Sequence, residues 1–171
     1  SVPRPATVHC AARTWRGVGM SADPGRLRRH VEQLAATMRS ERHDPAGMQR
    51  TWDYVSTHLT ETGWAVSAQP LSLRWRIGLA DDIEPGGWWP IRLHRRLRGH
   101  NVLAAANQAS GAPLVIGAHV DAVKDSPGAD DNASGVAVLL ELATLLRAQV
   151  DVPVLLAFLD LEEVGHFGSR A

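Results

Sequence analysis

A chain of 171 residues is long enough to bury one ordinary hydrophobic core. Its 18 basic and 18 acidic side chains cancel, so bulk charge gives no drive toward nucleic acid or an anionic membrane, and neither partner is expected. At 44% hydrophobic and 21% charged residues it is neither disordered nor fibrous, and no apolar run approaches the roughly 20 residues of a membrane span. The single cysteine, Cys10, allows no internal disulfide.

The opening "SVPRPATVHCAARTWRGVG" has no continuous apolar stretch of the kind a secretory signal needs, which favours a cytoplasmic location. Residues 1–25 are expected to form a poorly defined tail, with Met20 opening the better-behaved sequence and residues 26–171 forming the domain portion. From Arg26 to Met38, Leu27, Val31, Leu34, Ala35 and Met38 recur at spacings of three and four, which predicts an amphipathic helix started by Asp23-Pro24. A second helix is predicted from Pro45 to Thr62, ending at Gly63, and "WAVSAQPL" then alternates as a strand.

Arg74 to His100 is less regular. Its "IRLHRRLRGH" run reads as a solvated hairpin or loop able to border a substrate cleft, with Trp88 and Trp89 packing beneath, because no nucleic-acid recognition motif accompanies the arginines. Beyond it, "NVLAAA" and "APLVIGAH" predict strands, "SGVAVLLELATLLRAQV" a helix and "VPVLLAFLDLEE" another buried strand. Continuous Val/Leu/Ile runs around a helix predict an α/β fold: a three-layer α/β/α sandwich whose mixed sheet is largely parallel and covered on both faces.

The chemistry concentrates where those strands end. His119 and Asp121 sit two apart at the carboxyl end of a buried strand, so both side chains can face one site. A metal-bound histidine needs its second ring nitrogen held, a role open to Asp121. In "PGADDNASG", a carboxylate such as Asp130 has two oxygens and can serve two cations, while Asn132 suits the helix cap. Glu162-Glu163 follows the next apolar strand: one can bind a divalent ion while its neighbour works as a general base.

These three pieces, "GAHVD", "SPGADDNASGVAVLLELA" and "FLDLEEVGHFGSRA", resemble the two-zinc aminopeptidase family of bacterial leucine-type aminopeptidases and glutamate-carboxypeptidase relatives. The resemblance implies a zinc-dependent hydrolase of peptide or amide bonds acting on a peptide or aminoacyl substrate. It implies His119, Asp130 and Glu163 as metal ligands, Asp130 bridging two zinc ions with a cis peptide just after it. Glu162 would be the general base and Asp121 the group orienting His119. The family's further Asp and distant His ligands have no counterpart before Ala171, and His166 stands too close to Glu163 to be the latter. The 171-residue chain is therefore expected to be the N-terminal portion of such a domain, to bind zinc poorly alone and to be inactive alone. Two other readings remain open: a non-catalytic binding or dimerisation module, and glutaminyl-cyclase-like amide chemistry.

Overall fold

The computed structural model describes residues 21–82, 91–106, 111–147 and 152–171. Two helices come first, α1 (Pro24–Ala35) and α2 (Pro45–Glu61). Each has proline in its first turn and an aspartate cap: Asp23 Oδ1 accepts from the Gly25 N–H and Asp44 Oδ1 from the Gly47 N–H, both at 2.8 Å. Gly63, at φ +88°, takes the left-handed position that ends α2. Helix α1 begins two residues before the boundary expected for the tail; residues 1–20 lie outside the described residues.

The strands β1 (Ala65–Leu79), β2 (Ile91–Ala105), β3 (Leu114–His119) and β4 (Val154–Leu159) form one sheet in the order β1-β2-β4-β3. Helix α3 (Ser134–Leu146) makes the crossover between β3 and β4. The α/β class is as expected, with a mixed sheet, but "largely parallel" needs correction. β3 and β4 are parallel, whereas β1–β2 and β2–β4 are antiparallel. The reason is the arginine-rich run. Its polar side chains suit a strand with solvent on one side, so it joins "NVLAA" in one 15-residue strand that pairs with β1 as a hairpin. Trp88 and Trp89 lie outside the described residues.

All three helices contribute to a single core on one face of the sheet. Leu34 of α1, Trp52 and Val55 of α2 and Leu140 of α3 pack with Val102, Val154, Leu156 and Phe158. Among the described residues no helix covers the other face, and Leu114 and Val115 of edge strand β3 are exposed, unlike the doubly covered strand expected. A smaller cluster, Leu71, Leu97, Leu161 and Val164, fastens the hairpin to the chain after β4. Glu141 of α3 is buried among apolar neighbours because Arg26 pairs with it and the Asp23 N–H donates to it at 2.8 Å, which locks α1 onto α3.

Asn101 joins three segments. Its amide donates to the Gly168 carbonyl (2.9 Å) and the Gln69 side chain (2.8 Å), and its oxygen accepts from the Asp160 N–H (3.0 Å). Gly168 sits so close that an added Cβ would lie 2.0 Å from the Asp160 carbonyl. Replacing Asn101 by Leu leaves buried backbone groups unpaired, so urea unfolding should show a loss of about 1–3 kcal/mol.

His30 supplies a second test. It is buried, hydrogen-bonded through Nδ1 to the Tyr54 hydroxyl (2.6 Å) and edge-on to His58 at 4.8 Å. Burial, then the neighbouring His58, lowers its pKa to about 4. Below the ordinary histidine pKa of about 6.5 the unfolded chain takes up a proton that the folded chain refuses. Stability should therefore fall as pH drops from about 6.5 to about 4, by an amount on the order of 3 kcal/mol, and His30→Gln should remove that share of the pH dependence. Equal pH slopes for the two proteins would contradict this.

Candidate metal centre

Parallel pairing sets His119 of β3 beside Leu159 of β4, so both strands end at the same rim of the sheet. The Val120 N–H donates to the Leu159 carbonyl at 2.8 Å and extends that alignment one residue further. Past this point β3 runs into the loop leading to α3, and β4 runs into the turn carrying Glu162 and Glu163.

Asp121 ties the two ends together. Its buried carboxylate accepts the backbone N–H groups of Glu162 and Glu163, one on each oxygen, both at 3.1 Å. Its carbonyl oxygen lies 3.1 Å from His119 Nδ1, while its carboxylate is 3.7 Å away. The imidazole is thus oriented mainly by the Asp121 backbone, and the Asp121 side chain positions the glutamates. Asp160, buried at the end of β4, accepts from the N–H groups of Leu161 (2.8 Å) and His100 (3.1 Å), and burial, then Asp121, pushes its pKa up to about 8.

His119, Asp131 and Glu163 each offer one donor atom, all within 4.8 Å of one another. His119 Nε2 and Asp131 Oδ1 are 2.9 Å apart. Burial disfavours the His119 imidazolium, but Asp121, Glu162 and Asp131 outweigh it and hold its pKa up at about 9. Burial, then Asp121 and Asp131, raises Glu163 to about 7. The carboxylates thus act on both groups in the direction that favours a proton or another cation among them, with burial the larger cause at Glu163. Glu162 stands alongside, with Oε1 2.6 Å from His166 Nδ1 and Oε2 3.9 Å from His119 Nε2.

Of the expected ligands, His119 and Glu163 are brought together and Asp130 is not. The third donor is Asp131. Asp130 is exposed, with its carbonyl accepting from the Ser134 hydroxyl at 2.7 Å, and the cis peptide follows Asp131. In "ADDN" the two aspartates are adjacent, so the path of the loop decides which one turns inward. Asn132 Oδ1 accepts the Gly135 N–H at 2.9 Å and caps α3, as its residue type predicts. His166 lies in the turn after β4 and touches Glu162, a contact its spacing in the sequence did not reveal. A second group, His43 with Asp81 and Asp82, is already occupied by Arg42 and Arg92.

A cleft of about 530 Å³ opens beside the centre, lined by Asp121 and Glu163, by Arg42 and by the β2 run that includes Arg92 and Leu97. The arginine-rich run thus borders a cleft, as read from the sequence.

One imidazole and two carboxylates form a donor set that fits zinc, with three protein ligands leaving a position for water or substrate. The fold and these donors define an α/β structure with a candidate divalent-metal centre at one rim of its sheet. Residues 101–171 match the model of peptidase family M28. The E. coli protein YfbL, which is uncharacterized, is 32% identical over 138 residues, covering 75% of this chain and 36% of YfbL. The probable lipoprotein aminopeptidase LpqL of Mycobacterium tuberculosis is 43% identical over 76 residues, 43% of this chain and 15% of LpqL. The chain therefore spans well under half the length of these curated relatives. Among solved structures, the aminopeptidase of Aneurinibacillus sp. strain AM-1 superposes with a TM-score of 0.65 at 15% identity, covering 87% of this chain and 65% of that one. The glutaminyl cyclase of Macrostomum lignano gives 0.62 at 22% identity, covering 82% and 38%. Both likenesses show the fold alone.

The two aspartates can be told apart directly. Asp131→Asn should weaken zinc binding, read by competition with a chromophoric chelator, by about 10–100-fold, whereas Asp130→Asn should leave it near the wild-type value.

Proposed function

We propose that this chain carries part of the centre of a zinc-dependent peptidase, an aminopeptidase that cleaves the first peptide bond of its substrate. The observation that carries this reading is the convergence of His119, Asp131 and Glu163 on one point with a further carboxylate, Glu162, beside it. When bound, zinc supplies a Lewis acid that polarises the scissile carbonyl and makes water more acidic.

The chain's own residues do the rest. Asp121 orients His119 through its carbonyl and fixes the glutamate turn through its carboxylate. Glu162 accepts a proton from the attacking water and passes it to the departing amine. His166 holds one oxygen of Glu162, leaving the other toward His119 and the reacting space. Asp131, whose side chain is 77% exposed, has a second oxygen free to be shared with another cation, which supports the two-ion arrangement of the family. The adjacent cleft, reaching the arginine-rich strand, accommodates a short peptide.

Kinetics on aminoacyl anilides test this with the zinc-loaded, longest natural gene product that contains this chain, since residues 1–171 alone are expected to be inactive. Glu162→Gln should lower kcat by about 10²–10⁴-fold while zinc affinity stays unchanged. Conversion of N-terminal glutaminyl peptides to pyroglutamyl products, with no release of amino acids from any peptide, would overturn the peptidase reading in favour of cyclase chemistry.

A further inference from the structure

Between α1 and α2 lies Arg39, whose side chain is fully buried yet, among the described residues, has no carboxylate hydrogen-bonded to it. Its guanidinium donates instead to four backbone carbonyls. Nε reaches Val120 (2.7 Å), one Nη reaches both Leu34 (2.9 Å) and Pro127 (2.8 Å), and the other Nη reaches Gly128 (2.9 Å). Four of the five N–H donors of a guanidinium are thereby used, three of them on a single loop. The Arg39 carbonyl also accepts from the Ala122 N–H at 2.9 Å.

The positions of those carbonyls matter more than their number. Val120 directly follows His119, and Gly128 lies three residues before Asp131. One planar group therefore holds both ends of the loop that separates the imidazole from the carboxylate. Gly128 is shaped to it: at φ +56°, a Cβ there would stand 2.5 Å from Arg39 Nη2 and 2.8 Å from the Ala122 Cβ. Burying a guanidinium is costly unless its donors are satisfied and negative charge is close. Here the carbonyls satisfy it, and Asp121, Glu163 and Asp131 supply the field.

We propose that Arg39 is a positioning residue of the metal centre: by gripping both ends of the Val120–Gly128 loop it sets His119 and Asp131 at the separation a single ion requires. This rests on the proposed metal centre. Lysine cannot replace it, because one ammonium cannot span four carbonyls in a plane.

The test compares the wild-type protein with Arg39→Lys, Arg39→Ala and Gly128→Ala, each verified as folded by circular dichroism. Zinc competition titration should show affinity about 10–100-fold weaker in all three, and millimolar guanidinium, but not sodium chloride at equal ionic strength, should restore part of it in Arg39→Ala. Amide hydrogen exchange on the zinc-free proteins should quicken at Ala122 and Ala133 while β4 amides keep their protection. If Arg39→Ala does not fold, Arg39→Lys decides on the same two measurements. A folded Arg39→Lys with wild-type zinc affinity overturns the proposal, as does unaltered exchange at Ala122 and Ala133. Failure of the wild-type protein to bind zinc overturns the metal-centre reading and, with it, the positioning role; the exchange comparison then still reports whether the clamp exists.

Discussion

Everything at the rim of this sheet depends on the in-register parallel pairing of β3 with β4. Residue for residue, Gly117 stands by Ala157 and His119 by Leu159, so two chain segments separated by a whole helix finish side by side. The buried carboxylate of Asp121 then spans the gap to the two N–H groups of the glutamate turn. A shift of the register by one residue would move His119 to the helix-covered face and leave that carboxylate without donors in the low-dielectric interior. The apolar core and the polar site therefore specify one another: Ile116, Ala118 and Val120 pack beneath the helices only in the register that delivers His119 to the site.

Much of this was legible in the chain itself. Apolar runs that stop at His119 and at Asp160, just ahead of the glutamate pair, mark strands ending in chemistry, because buried strands rarely carry such groups midway. The two leading helices were legible to within a few residues, since Asp-Pro starts and the Gly63 stop are local signals that need no tertiary partner. Asn132 as the cap of α3 belongs with them.

What was not legible arises from long-range placement. Asp130 and Asp131 are chemically identical neighbours, and only the route of the loop between Gly128 and α3 determines which faces His119. Arg39 gave no sign, because its partners are main-chain carbonyls up to 89 positions away and no side-chain pattern encodes them. The hairpin was legible only as one of two readings, hairpin or loop, for a related reason. A strand rich in arginine, with only intermittent burial at His94 and Leu97, lacks clean alternation, and β1 supplies the pairing that makes it a strand. The open outer face of β3 breaks the expectation of a doubly covered sheet in the same way: Val115 looks like a buried residue in sequence and is 57% exposed in the fold.

The electrostatic logic is equally compact. Six ionisable groups, Arg39, His119, Asp121, Asp131, Glu162 and Glu163, share a small region; the carboxylates raise the imidazole against its burial, and burial together with the carboxylates raises Glu163. A divalent cation held by His119, Asp131 and Glu163 would relieve the repulsion among those carboxylates, taking the place of the imidazole proton. The most direct measurement is anomalous diffraction at the zinc edge from crystals of the protein grown with zinc. The account predicts a peak within coordination distance of His119 Nε2 and of Asp131 and Glu163 oxygens. A peak confined to His43, Asp81 and Asp82, or no peak at a saturating zinc concentration, would contradict it.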